Sequence, residues 1–205
     1  MAEPTKTNTT EENILAAAKR VFIRKGYAGA RMQEVADEAG INKAMLHYYF
    51  RSKDKLFQVI LAEATATVSG LLYRHLGSDA PLFDKLEELT REYVQLLIDN
   101  PHLPLFVMNE LSQNRGEFIR SALDERKAAG MLKFFQQVAE EAQAGTIRPV
   151  APLHLVFHLM GMIIFPFIAG PIIKQGTGMD DEAYDFFMGQ RAEEIMVAMR
   201  RYLAP

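Results

Sequence analysis

The fold of this chain is decided by residues 26–57, which read GYAGARMQEVADEAGINKAMLHYYFRSKDKLF. Two short segments with helical periodicity, each of about eight residues, are joined by Ala39-Gly40-Ile41-Asn42. Those four residues supply a small side chain, a glycine that tolerates positive φ, an aliphatic side chain to bury and an amino-terminal helix cap. The stretch therefore predicts a helix-turn-helix over about residues 31–50.

The second of these helices has an exposed side suited to a DNA major groove. In that placement the amino-terminal residues of the helix face base edges and its flanks meet phosphates. Leu46, Tyr49 and Phe50 are expected to point towards the core. The residues expected to face the DNA are Lys43, Ala44, Met45, His47 and Tyr48.

The rest of the chain continues the helical pattern, with almost no alternation of the kind that strands show. We predict an all-α fold of nine helices, in which a three-helix domain over residues 1–52 precedes a six-helix bundle over residues 53–205. The first helix is expected to begin at Thr9 or Thr10, because Thr9 and Glu12 have the spacing of a capping box. The predicted helices lie at about 9–25, 31–39, 43–50, 53–76, 81–98, 104–113, 118–144, 152–174 and 181–203.

Charge and composition narrow the class of protein. Residues 1–55 carry ten basic and seven acidic side chains, whereas the whole chain has a net charge of -3, so the amino-terminal end is the one suited to an anionic partner. There is no cysteine, which excludes disulfides and thiolate chemistry. Because no catalytic motif or phosphate-binding glycine loop is present, we do not expect an enzyme. The polar amino terminus shows no signal peptide, which predicts a cytoplasmic protein.

The stretch from Thr9 to about Ile60 resembles the DNA-binding domain of the TetR family of bacterial transcriptional repressors. The residues that carry the resemblance are Gly26-Tyr27, Val35-Ala36, Ala39-Gly40-Ile41, Leu46, Tyr49-Phe50 and Ser52-Lys53. The sequence departs from the family at two places. Ala30 and Arg31 stand where a capping Thr or Ser is common, and His47 stands where a Tyr is frequent.

The resemblance implies a ligand-responsive regulator, most simply a repressor that binds a palindromic operator as a dimer and is released by a small effector. Arg31, Lys43, Tyr48 and Lys53 are expected to contact phosphates, and a phosphate would also offset the unfavourable position of Lys53 in the first turn of its helix. Ala44, Met45 and His47 are expected to contact bases. Activation instead of repression, the operator sequence and the effector stay open at this point.

The carboxy-terminal body is expected to hold the effector in an apolar or aromatic pocket. Pro166 cannot donate to the carbonyl of Met162, so a bend or gap is expected there. The candidate lining residues are Phe106, Met108, Asn109, Met131, Phe134, Phe135, His158, Met162 and Phe165. His154 and His158 lie one turn apart and could line the pocket, sit in the core or bind a metal, but no acidic residue lies near them. We therefore predict no metal and no cofactor.

The last two predicted helices, at about 152–174 and 181–203, are expected to form a homodimer interface. Met188, Ala192, Ile195, Met199 and Tyr202 recur at a heptad-like spacing that suits a seam between helices. Residues 150–173 carry no charge and could span a bilayer, but three prolines and two glycines favour a buried helix and no membrane contact. The alternative functions are a helical-bundle ligand carrier or a membrane-associated protein anchored by residues 150–173.

Overall fold

The computed structural model describes residues 6–101, 103–113 and 125–205, and this part of the chain contains helices and no strand. The predicted all-α fold is confirmed. The described helices are α1 (Lys6–Gly29), α2 (Met32–Glu38), α3 (Lys43–Tyr49), α4 (Lys53–Leu76), α5 (Leu82–Asp99), α6 (Leu103–Gln113), α7 (Glu125–Ala144), α8 (Pro152–Thr177), α9 (Asp181–Gly189) and α10 (Arg191–Leu203).

Two helix boundaries differ from the prediction. Helix α1 begins at Lys6, so Thr9 is an interior residue and the predicted capping box is wrong. The single helix predicted over 181–203 is two helices, because the chain is interrupted at Gln190, whose N–H donates to the carbonyl of Phe187. Residues 118–124, at the start of a predicted helix, lie outside the described residues.

The chain divides into two compact units, residues 1–64 and residues 65–205. The division lies inside α4, later than the predicted boundary after residue 52. The first turns of α4 belong to the amino-terminal unit because Leu56, Phe57 and Ile60 are buried there. The Phe57 ring packs edge-on against Phe22 and Tyr27, with centroid distances of 5.0 and 4.8 Å.

The carboxy-terminal unit is built around α5, α8 and α10, which pack against one another. Helix α5 buries Leu82, Leu86 and Leu89 on one face, at the three- and four-residue spacing of an amphipathic helix. Helix α10 buries Ile195 and Met199 in the same core. This core therefore rests on long-range contacts between helices rather than on any one segment.

Pro166 is accommodated within α8, which runs without interruption from Pro152 to Thr177. Pro166 has no N–H to offer to the Met162 carbonyl. The guanidinium of Arg191 replaces it, because Nε and Nη2 each donate to that oxygen at 3.2 Å. Tyr184 adds a hydrogen bond from its hydroxyl to the Pro166 carbonyl at 2.7 Å. The space that Pro166 was expected to open is therefore occupied by side chains from α9 and α10.

This arrangement predicts a specific dependence of stability on Arg191. We expect Arg191→Met to lower the free energy of unfolding by roughly 1–3 kcal/mol, because a carbonyl loses its charged donors. In a Pro166→Ala background the backbone N–H of residue 166 can serve that carbonyl, so the same substitution should cost much less. Urea unfolding of the four proteins measures the difference, and equal losses in the two backgrounds would contradict the prediction.

Candidate nucleic-acid interface

The turn between α2 and α3 has the hydrogen bonds that its sequence predicts. Gly40 adopts a φ of 67°, and the N–H groups of Gly40 and Ile41 donate to the carbonyls of Asp37 and Ala36 at 3.2 and 3.0 Å. These are the two bonds of a Schellman motif. Asn42 then caps α3 by accepting from the Met45 N–H at 2.8 Å. The start of α3 is thus fixed by its own sequence.

Helix α3 separates a buried side from an exposed side. Leu46 is fully buried and Phe50, just beyond the helix, is 6% exposed, whereas the Tyr48 side chain is 82% exposed. All five residues expected to read DNA lie on the exposed side, namely Lys43, Ala44, Met45, His47 and Tyr48. A row of exposed residues on a rigidly capped helix is the geometry that reading a major groove requires.

Arg31 occupies the amino-terminal cap of α2, where the sequence lacks a Ser or Thr. The Glu34 carboxylate closes this end instead, accepting from the Arg31 N–H at 3.2 Å, and the Arg31 residue is exposed. A hydrogen bond from Lys25 is the main cause that lowers the pKa of Glu34, with the Arg31 N–H contributing. Arg31 is therefore held at the helix end by its backbone while its side chain faces solvent.

Several basic side chains of α1 form ion pairs with glutamates of α2 and α4. Glu38 accepts hydrogen bonds from Arg20 at 2.7 Å and from Arg24 at 2.6 Å. These hydrogen bonds lower the pKa of the Glu38 carboxyl group, and the one from Arg20 contributes most. Lys19 pairs with Glu63 at 2.6 Å. The basic excess of residues 1–55 is therefore a poor guide to the charge offered to DNA, since part of it joins helices to one another.

Lys53 is placed differently from the other candidate phosphate contacts. Its ammonium donates to the carbonyls of Tyr27 and Ala30 at 2.9 and 3.1 Å and lies 4.4 Å from the centre of the Tyr27 ring. These carbonyls follow Gly26, whose φ of 66° interrupts α1 before its last residues. The cost of placing Lys53 in the first turn of α4 is thus offset inside the domain, and its main visible role is to join α1 to α4.

The position of Lys53 predicts a stability effect that a surface lysine would not give. We expect Lys53→Met to lower the free energy of unfolding of the amino-terminal unit by about 1–3 kcal/mol, since two charge-assisted hydrogen bonds are removed. Lys55→Met, two residues away and exposed, is the matched control and should stay within about 0.5 kcal/mol. Thermal unfolding of the full chain compares the two variants. Equal stabilities would mean that the Lys53 hydrogen bonds do not stabilise the domain.

The candidate effector-binding residues are not brought together around one space. The carboxy-terminal unit has an apolar cavity of about 40 Å³ between α4, α5, α7 and α8. Its lining residues are Leu72, Leu76, Leu89, Met131, Phe134, Leu155, Val156, Leu159 and Met160. Only Met131 and Phe134 belong to the predicted set. Sequence periodicity could have indicated the others, since most lie on the buried faces of their helices.

The remaining predicted lining residues lie elsewhere. Phe135 and Met162 pack against the core without reaching the cavity, and Phe106 is half-buried on α6. Met108, His158 and Phe165 are exposed. The side chain of Asn109 lies outside the described residues. Near Pro166, where the pocket was expected, Arg191 and Tyr184 hydrogen-bond to carbonyls of α8, and the predicted effector site stays a prediction.

The histidine pair on α8 is on the surface. His154 and His158 are both exposed, and their rings stack with centroids 6.3 Å apart. The His158 ring also meets Tyr202 edge-on at 4.7 Å. Of the three roles left open by the sequence, a buried core histidine is therefore excluded, and neither ring reaches the cavity between α4 and α8.

Helix α8 is apolar on two roughly opposite faces. One face, with Leu155, Leu159, Ile163 and Phe167, is buried in the core. The opposite face exposes large apolar side chains, namely Leu153, Phe157, Phe165 and Ile172. By length and hydropathy alone both α4 and α8 would suffice to cross a membrane, a test that core helices also pass. The buried face of α8 is that of a core helix.

An exposed, capped recognition helix on a small helical domain, followed by a larger helical unit, defines a helix-turn-helix DNA-binding regulator. Residues 14–60 match the family model described as bacterial regulatory proteins, tetR family. This chain therefore carries a TetR-family DNA-binding domain, and similar transcriptional regulators cover most of its length. It is thus a DNA-binding regulator and not an enzyme, as the sequence predicted.

Similar proteins support this assignment along most of the chain. The transcriptional regulator RutR of Escherichia coli O157:H7 is 29% identical over 192 residues, which cover 89% of this chain and 84% of RutR. The transcriptional repressor NicS of Pseudomonas putida is 39% identical over 62 residues, 30% of this chain and 29% of NicS. A solved regulator from Streptomyces coelicolor, SCO4942, shares the fold with a TM-score of 0.67 at 18% identity, covering 95% of this chain and 98% of that protein.

Proposed function

We propose that this regulator is a repressor that binds a palindromic operator as a homodimer and is released by a small apolar or aromatic effector. The observation that carries the proposal is the exposed row on α3, held between the Asn42 cap and the buried Leu46. A surface that exposes Tyr48 almost fully on a fixed helix suits a partner that covers it. A cytoplasmic location follows from the DNA partner.

The residues of this surface have separate roles in the proposal. Lys43, Tyr48 and the side chain of Arg31 contact phosphates and set the position of the protein on the duplex. Ala44 and Met45 contact thymine methyl groups, and the imidazole of His47 makes a hydrogen bond to a base edge. Lys53 acts mainly through its hydrogen bonds to Tyr27 and Ala30, which leave it at most one further donor for a phosphate.

The dimer in the proposal forms through α8, α9 and α10. Besides the exposed apolar face of α8, α9 exposes Phe186 and Phe187, which are 74% and 51% exposed. A large exposed apolar area of this kind marks an interface, and a two-fold axis lets the same patch meet itself. Two recognition helices related by that axis read two half-sites about 34 Å apart, so the operator is palindromic.

The effector in the proposal enters the cavity between α4 and α8. A cavity of about 40 Å³ is far below the roughly 300–1,000 Å³ of small-molecule sites, so the effector-bound form must open it. Met131 and Met160 are the lining residues best able to move aside. The effector shifts the balance between forms only by its preference for the opened one. No cofactor takes part in this scheme.

The test is selection of bound fragments from random duplex DNA with the full chain, at a stated salt concentration because phosphate contacts make affinity salt-dependent. We expect a palindrome whose half-sites are about one helical turn apart. The selection is repeated after unfolding and refolding, which removes any effector carried through purification. If no sequence is enriched before or after refolding, the proposed function is wrong.

A further inference from the structure

A histidine and two glutamates meet where the end of α4 lies beside α5. His75 is in the last turn of α4, and Glu88 and Glu92 are one turn apart on α5. One ligand atom from each of the three lies within 4.8 Å of the others. Among the residues that the structure describes, no other group of three or more His, Asp or Glu side chains is so close.

The His75 ring is buried and incompletely satisfied. The residue is 9% exposed, and its Nε2 atom is buried without a hydrogen-bond partner. The Glu92 Oε1 atom lies 3.2 Å from Nε2, but the two are not aligned for a hydrogen bond. A buried polar atom without a partner is costly and calls for an explanation. The Nε2 atom is therefore available as a ligand beside a carboxylate.

The spacing of these atoms fits a small divalent cation. Zinc binds imidazole nitrogen and carboxylate oxygen at about 2.0–2.2 Å, which puts tetrahedral ligands roughly 3.4 Å apart. The separation of 3.2 Å between Nε2 and Glu92 Oε1 is already close to that value. The three ligand atoms lie within 4.8 Å of one another, and Glu88, whose side chain is 59% exposed, would have to move closer to complete the third position. Water supplies the fourth ligand from the solvent side.

The second oxygen of Glu92 is held from outside the cluster. Arg74 Nη1 donates to Glu92 Oε2 at 3.0 Å, which leaves Oε1 directed towards His75. Outer hydrogen bonds of this kind orient the carboxylates that bind metals. Arg74 and His75 are consecutive residues, so the end of α4 supplies both a ligand and the group that orients another ligand.

We propose that His75, Glu88 and Glu92 form a binding site for a divalent transition-metal ion, with Zn²⁺ the best fit. One imidazole with two carboxylates suits Zn²⁺ and its neighbours better than Ca²⁺ or Mg²⁺, which favour oxygen alone. The site differs from the sequence prediction, which weighed only His154 and His158 and expected no metal. A bound ion joins α4 to α5 beside Leu76 and Leu89, two of the cavity residues.

The experiment is calorimetric titration of the tag-free full chain with ZnCl₂, together with thermal unfolding with and without Zn²⁺. We expect one ion per chain and a higher unfolding temperature with Zn²⁺, because the ion binds the folded form. Glu88→Gln and Glu92→Gln should each weaken Zn²⁺ binding by roughly 10–100-fold, which is the loss of metal affinity found when the hydrogen-bond partner of a ligand is removed. Glu88 is exposed and Glu92 is half-buried, so both substitutions leave the buried His75 ring in place.

Two control variants make the result specific. Glu87→Gln removes a neighbouring, half-buried carboxylate of α5 and should bind Zn²⁺ like the parent. A His154→Gln plus His158→Gln variant removes the exposed pair of α8 and should also bind normally. The proposal is overturned if the parent binds no Zn²⁺, if the Glu88 and Glu92 variants bind it unchanged, or if binding is abolished only in the His154 and His158 variant.

Discussion

Replacing both Lys43 and Tyr48 with alanine should lower the affinity for the selected operator by roughly 10³-fold or more. Each hydrogen bond to a charged phosphate contributes about 1.5–3 kcal/mol, and in a dimer on a palindrome each substitution acts in both half-sites. Both side chains are exposed, so the unfolding temperature should stay close to that of the parent. The weaker binding therefore reports on the DNA interface and not on folding.

The two single variants separate charge from shape. Lys43→Ala should reduce the slope of log affinity against log salt by about 0.9 for each phosphate that the protein no longer neutralises, hence by nearly two for the dimer. Tyr48→Phe keeps the ring and removes only the hydroxyl donor, so it should leave this slope unchanged. Fluorescence anisotropy with labelled operator at several salt concentrations measures both quantities.

A matched control comes from the charged residues of α1. Lys19→Ala removes a basic side chain from the same unit, but one paired with Glu63, and we expect little change in operator affinity. If the Lys43 and Tyr48 double variant bound operator as tightly as the Lys19 variant, α3 would not be the reading helix.

The amino-terminal domain could be predicted from sequence because its signals are local. Gly40 and Asn42 each act within four residues of themselves, through the hydrogen bonds that close α2 and cap α3. The alternation of Leu46 with exposed neighbours also follows from helical geometry alone. For these reasons the turn, the start of α3 and its exposed row were all predictable.

The sequence could not show which groups its cationic side chains bind when those groups lie far away along the chain. Lys53 serves carbonyls at Tyr27 and Ala30, and Arg191 serves the carbonyl that Pro166 leaves on Met162. Lys85 is buried in the core, where its ammonium donates to the Leu76 carbonyl at the end of α4 and desolvation lowers its pKa. In each case the partner is a backbone oxygen, which leaves no mark on the sequence.

The residues that line the cavity could not be chosen from the sequence for a different reason. An apolar helix such as α8 has no polar face to orient it, so periodicity could not tell the face towards the cavity from the face towards solvent. Phe165 was assigned to the pocket and is 64% exposed, whereas Leu155 and Leu159 line the cavity. His75 was missed because its partners lie on another helix, and only their approach in space makes a cluster.

The exposed face of α8 leads to the second large effect, on assembly. A variant carrying Phe157→Glu and Phe165→Glu should be a monomer at micromolar concentration and should bind operator far more weakly than the parent. Burying one phenylalanine contributes about 1.5–3 kcal/mol, and the two-fold axis places four of these rings in the interface. The dimer dissociation constant should therefore rise by roughly 10⁴-fold or more.

Leu132→Glu is the matched control for this variant. Leu132 lies on α7 outside the proposed interface and is 67% exposed, against 64% for Phe165. The control therefore gains one negative charge at an exposure like that of Phe165, whereas the double variant gains two. Sedimentation velocity and operator binding should show the Leu132 variant to be dimeric and active. Because a monomer offers one recognition helix to one half-site, dissociation of the dimer and the fall in operator affinity must occur together. A dimeric Phe157 and Phe165 variant would move the interface to another face of the unit.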